Sequence, residues 1–182
     1  MAQKITPFLW FDMNAEEAMN YYVSVFKDAK IVDIVRYPEG SQEEHMKGMG
    51  GKVLTGVFEL AGQQFMALDG GPMFKFTEAV SFLIECEDQA EIDYFWEKLS
   101  AVPESEQCGW CKDKFGLSWQ VIPKGMSGMI NNPKAMQAML QMKKIDIAAL
   151  KPPPRKRVLN ITSTKLTQPQ MCKYSTDVHT FI

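Results

Sequence analysis

One pattern in this chain occurs twice. Asn14-Ala-Glu-Glu17 and Asp88-Gln-Ala-Glu91 are both helix-opening signals, a capping side chain followed three residues later by a glutamate. Each follows an apolar run and precedes apolar residues at helical spacing. Phe8-Leu9 returns as Phe82-Leu83, and Tyr21-Tyr22 returns as Phe95-Trp96, all at an offset of about 74 residues. A strand–helix unit written twice constrains the chain to two copies of one module packed together. Neither half is long enough to bury much apolar surface alone.

The rest of each copy extends the plan. In the first, residues 4–11 read as a strand and 15–27 as a helix whose apolar stripe is Ala18, Met19, Tyr22, Val25 and Phe26. Residues 30–37 alternate as a half-buried strand. A polar, glycine-containing loop over 38–51 leads to strands 52–60 and 63–69, joined by an Ala61-Gly62 hairpin turn. The first module, about 4–72, is thus β-α-β-β-β. The second, about 79–123, restarts with strand 79–86 and helix 89–100. Strands 107–112 and 117–122 follow around a Lys114-Phe115-Gly116 turn, and the first strand after the helix is poorly marked. A C-terminal helix is expected over about 132–150: Asn132-Pro133 opens it, 134–143 carries a methionine-rich face, and 145–150 continues it. Pro152-Pro-Pro154 stops it. Residues 152–182 read as a polar extension headed by Arg155-Lys-Arg157.

Composition narrows the function classes. With 46% hydrophobic and 23% charged residues, the 182-residue chain is an ordinary globular α+β sequence. A net charge of -2 gives no general attraction for nucleic acid or anionic membrane. No run of roughly 18 apolar residues predicts a membrane span, and the N-terminal segment lacks signal-peptide architecture, so a cytoplasmic location is expected. Four cysteines are too few for a disulfide framework. Cys108-Gly-Trp-Cys111 is a CxxC, but its flanks read as strand and turn instead of a helix start, which favours incidental thiols over a redox pair. No second half of a zinc site accompanies it.

Several segments together resemble the PhnB-like branch of the glyoxalase/bleomycin-resistance (vicinal oxygen chelate) superfamily, often labelled 3-demethylubiquinone-9 3-methyltransferase. They are Ile5–Phe11, Asn14–Tyr22, Phe65–Pro72, Cys108–Trp110, Lys112–Gly116, Ser118–Pro123 and Lys144–Leu150. The resemblance implies two βαβββ modules, a cup-shaped mixed sheet from each with helices outside, and a homodimer. Metal-dependent relatives hold a divalent ion with one His, Gln or Glu from each of four strands. Those positions fall here at Phe8, near Met66, at Ser81 or Ala79, and at Gln120. Only Gln120 can ligate, and an amide oxygen alone holds a transition ion poorly. Both histidines, His45 and His179, lie off the strands. No metal and no cofactor are therefore expected.

Strand alternation sorts the side chains between the faces. Leu9, Phe11, Phe65, Ala67, Phe82, Ile84, Trp119 and Val121 should pack under the helices. Phe8, Trp10, Met66, Leu68, Ser81, Leu83, Ser118 and Gln120 should face the cup. Of these, Phe8, Trp10, Met66, Leu68, Ser81, Ser118 and Gln120 are the candidate ligand-binding residues, suited to a small aromatic or apolar molecule oriented by a few hydrogen bonds. The competing expectation is that this face is filled core. An enzyme is the alternative to a binding module. Against methyl transfer, the glycine-rich Gly48-Met-Gly-Gly51 precedes a strand instead of leading from one into a helix. Lys112, Asp113 and Lys114 cluster beside Trp110, which a solvated turn explains as well as a functional group of side chains does; Asp69 reads as turn chemistry and Glu59 as surface.

Overall fold

A computed structural model describes residues 4–40, 43 and 46–150; the polar extension expected over 152–182 lies outside these residues. The first module runs β1 (Phe8–Phe11), α1 (Ala15–Val25), β2 (Lys30–Arg36), β3 (Val53–Leu60) and β4 (Gln63–Asp69). Its sheet has the order β1-β4-β3-β2, with β1 parallel to β4 and the other pairs antiparallel. The second module runs β5 (Ser81–Cys86), α2 (Gln89–Leu99), β6 (Trp110–Lys112) and β7 (Ser118–Pro123). Its order, β5-β7-β6, repeats the parallel pairing of the first strand with the last. Three short helices follow: α3 (Met126–Met129), α4 (Pro133–Leu140) and α5 (Ile147–Leu150). The chain is thus α+β, with two mixed sheets.

The copies are not identical. Among the described residues the second sheet has three strands, and where β2 stands in the first module there is a single 3-10 turn, Pro103–Ser105. Residues 107–109, expected in a strand, form a tight hairpin instead. Cys108 and Gly109 both have positive φ, as a two-residue turn requires, and Gln107 and Trp110 exchange backbone hydrogen bonds across it. Ala61 and Gly62 make the corresponding, expected turn between β3 and β4. The single C-terminal helix is also corrected. Residues 141–146 break it, Asp146 Oδ1 caps the backbone N–H of Ala148, and Gln89 bonds the backbone both at Ile147 and at the buried Ile145.

One face of each sheet meets the helices. α1 buries Ala15, Ala18, Met19, Tyr22 and Val25, and with Phe26, buried just past its end, every residue of the predicted stripe lies in the core. It lies so close to β3 that a Cβ at Gly56 would stand 2.5 Å from the Met19 sulfur. α2 buries Ile92, Phe95 and Leu99. The two cores are continuous: Phe26 packs on Phe95 and Trp119, and Phe65 on Phe82, with ring centroids 5.1–5.6 Å apart. Fully burying each such ring contributes about 1.5–3 kcal/mol.

Two buried carboxylates fix the joints. Asp69, at the end of β4, accepts from the backbone N–H groups of Ala15 (2.8 Å) and Val53 (3.0 Å). It therefore caps α1 from 54 residues away, and Asn14, the expected cap, makes no side-chain capping bond. The second signal holds locally: Asp88 accepts from Glu91 N–H, and Glu91 reaches back to Glu87 N–H. Asp113 is buried, not part of a solvated turn. Its Oδ2 accepts from Tyr22 Oη and Trp119 Nε1, both at 2.8 Å, and its Oδ1 from the N–H groups of Phe115 (2.9 Å) and Leu117 (3.0 Å). Burial pushes this carboxyl above its ordinary range, against the pull of those four donors. Lys114 does sit outside, paired with Glu17, whereas Lys112 is mostly covered and paired with the exposed Glu78.

Candidate functional site

The face of each sheet turned away from α1 and α2 carries the residues expected to bind ligand, and register sets them in rows. Phe8 lies beside Met66 and Trp10 beside Leu68 on the parallel pair β1–β4. On the second sheet one row runs Ser81–Ser118–Lys112 and the next Leu83–Gln120–Trp110. Directly paired residues point to the same side of a sheet, so the alternation fixes these groupings.

Exposure follows the alternation. Leu9, Phe11, Phe65, Ala67, Trp119 and Val121 are buried, with Phe82 and Ile84 half-buried. On the opposite face Phe8 is 52% and Leu83 50% exposed. Trp10, Met66, Leu68, Ser81 and Gln120 are half-buried, and Ser118 is 1% exposed. Val32 and Val35 of β2, and Met73, Phe74 and Val80 between the modules, add further exposed apolar surface. This face is therefore not a filled core in the single chain.

The polar groups on it are only partly satisfied. Gln120 Nε2 donates to Ser81 Oγ at 2.8 Å. Ser118 Oγ is buried with no hydrogen-bond partner. Trp10 is held: its Nε1 donates to the carbonyl oxygen of Gly71 at 2.9 Å, and its ring packs edge-on to Phe74 at 5.0 Å. The indole lies against Gly70, where an added Cβ would meet it at 2.1 Å, so the glycine turn after β4 makes room for the tryptophan. Lys112, for which a solvated turn is one expectation, is only 19% exposed along its side chain and forms an ion pair with Glu78. The ammonium bond holds the Glu78 carboxyl below its usual range.

Two sizeable clefts among the described residues lie elsewhere. One of about 880 Å³ opens among the end of α1, the Ala61-Gly62 turn and the start of α2, lined by Phe26, Tyr94 and Phe95 under several carboxylates. Another of about 620 Å³ lies between the modules and touches Leu83 from the expected face. None of the seven candidate ligand-binding residues lines either. Trp10 lines a smaller cavity of about 240 Å³, together with Phe74, Lys75, Phe115 and Lys112.

Other chemistries find little support in the side chains present. Among the described residues no three His, Cys, Asp or Glu stand together as a metal would need. Phe8, Met66, Ser81 and Gln120 supply neither imidazole nor carboxylate and do not fit the relatives' divalent ion; both histidines lie outside the described residues. Burial raises the Cys111 thiol to about 12 and lifts Cys108 as well, which opposes thiolate chemistry at the CxxC. Glu59, taken as surface, pairs with Lys30 at 3.5 Å. Gly48–Gly51 leads along the chain into β3 and not into a helix. No described helix is long and apolar enough to cross a membrane.

Comparison with known proteins agrees with this layout. The model of the 3-demethylubiquinone-9 3-methyltransferase family matches residues 3–122. A PhnB protein from Bacillus cereus, provisionally named as such a methyltransferase, is 41% identical, covers 66% of this chain and 99% of its own, and superposes with a TM-score of 0.55. A Staphylococcus aureus protein is 30% identical over 68% of this chain and 99% of its own, with a TM-score of 0.31. The Pseudomonas aeruginosa protein PA1353 is 19% identical, covers 67% and 98%, and shares the fold with a TM-score of 0.52. No curated protein matches. A family model spanning most of both modules, together with a 41% identical relative, shows that the chain belongs to the 3-demethylubiquinone-9 3-methyltransferase (PhnB-like) family.

Proposed function

We propose that the open sheet faces bind a small aromatic or apolar organic molecule without a metal ion, and that a second copy of the chain closes over them. The carrying observation is the half-exposed Phe8 in register with Met66 on the first sheet, and the half-exposed Leu83 in register with Gln120 on the second, where Gln120 is hydrogen-bonded to Ser81. Apolar surface of this kind marks a binding face, and a few fixed polar groups orient what it binds. An open face in one chain is completed by a second copy, which supports a homodimer. The reducing cytoplasm suits a protein whose described cysteines are all free.

Thermal shift tests this reading. Aromatic compounds should raise the melting temperature, since a ligand at a hundred times its Kd adds about 2.7 kcal/mol. Phe8→Ser, at an exposed position, should abolish the rise without lowering the starting value. A rise with nickel, zinc or manganese and a stoichiometric bound ion would contradict metal independence. A rise with S-adenosylmethionine would favour methyl transfer, the activity in the family's name.

A further inference from the structure

We propose that the ligand of the open face carries an anionic oxygen group, which Lys112 binds together with the hydroxyls of Ser118 and Ser81, and that Glu78 fills this place in the empty protein. The inference deepens the reading above and rests on it.

Three observations converge. The first is the row Ser81–Ser118–Lys112, which points three hydrogen-bond donors to one side of the sheet on neighbouring strands. Ser81 Oγ accepts from Gln120, which leaves its own proton to donate. The second is Ser118 Oγ, buried with no partner. A buried hydroxyl left unpaired costs about 1–3 kcal/mol, and a ligand oxygen would relieve that cost. The third is the Lys112–Glu78 pair. Lys112 is largely covered, whereas Glu78 is 60% exposed and comes from the segment between the modules. A mostly solvated carboxylate on a covered ammonium resembles a replaceable counter-ion more than a structural strut.

The neighbourhood supplies the rest of the ligand. Lys112 lines the 240 Å³ cavity together with Trp10 and Phe74, so an acid group at the ammonium would set its ring against that aromatic pair. Lys75 also lines this cavity, so two ammonium groups stand there against the single carboxylate of Asp12. The chemical class is therefore an aromatic carboxylate.

Calorimetric titration of the full chain with 2-naphthoate and with 2-naphthalenemethanol separates the two levels of this reading. The acid should bind at least about tenfold tighter than the alcohol, as a charge-assisted hydrogen bond implies. Glu78→Gln, at an exposed position, should tighten the acid several-fold and leave the alcohol unchanged. Lys112→Met should bring the two to equal affinity, and Ser118→Ala should weaken only the acid. Equal binding of acid and alcohol to the unmodified chain would overturn the acid reading while the aromatic-binding reading stands. So would a Glu78→Gln variant with unaltered naphthoate affinity. Binding of neither compound would remove both readings together.

Discussion

Replacing Tyr22 with phenylalanine isolates the bond that ties the first module to the buried Asp113. The ring keeps its packing against Phe58, Phe115 and Trp119, and only the 2.8 Å hydrogen bond is lost. Asp113 retains Trp119 Nε1 and two backbone N–H groups. A bond to a charged group contributes about 1.5–3 kcal/mol, so urea unfolding at pH 7.5 should show a loss in that range. At roughly 2–4 °C per kcal/mol for a chain of this size, the melting temperature should fall by roughly 3–12 °C. The pH dependence gives the sharper test. The folded Asp113 carboxyl titrates above its unfolded value, because burial disfavours the charged form. Its contribution is therefore largest below the unfolded pKa and is lost as pH rises through the folded one. Tyr22 favours the charged form, so the cost of Tyr22→Phe should shrink as pH drops through the folded pKa and protonates Asp113. A cost under about 0.5 kcal/mol, or one that is the same at pH 7.5 and at the lowest pH where the chain stays folded, would refute this account.

Two further outcomes follow from the carboxylates and thiols. Asp69→Ala should cost about 2–4 kcal/mol by orphaning the N–H groups of Ala15 and Val53, whereas Asn14→Ala should cost under about 0.5 kcal/mol; denaturant titration of both checks whether α1 is capped from the sheet. In a Cys172→Ser background, Cys86 and Cys111, both raised to about 12, should react with a thiol reagent at pH 8 on the order of a thousandfold more slowly than a free cysteine, leaving Cys108 to react first. Fast labelling of two thiols would count against the buried placement.

What the sequence revealed was what recurs with a short period. Leu9, Phe11, Trp119 and Val121 fell inside, and Phe8 and Leu83 outside, because a strand alternates at every residue and the register follows. The helix stripes were legible for the same reason. What escaped depends on partners distant along the chain. Asp69 caps a helix that begins 54 positions earlier, and nothing near Asn14 signals that its own side chain is unused. Asp113 stands between two lysines, which reads as solvated, yet the turn to Leu117 brings two N–H groups onto its carboxylate and draws it inward. The Cys108-Gly109 turn carried a visible signal, a glycine as second residue, that the strand-like flanks outweighed. Lys112 belongs to the candidate face through a pairing with Ser118 that only the fold supplies.

The unequal halves also bear on how copies of this chain can meet. On one flank β2 is interrupted by register shifts near Ile31 and Arg36; on the other β6 is three residues long, where a fourth strand would have continued the sheet. Bulges and brevity deny an approaching backbone a straight ladder to extend. Growth of a sheet into a continuous β ribbon is disfavoured along these two edges, which favours side-chain contact across the broad sheet surfaces, the mode that the proposed pairing of two copies requires.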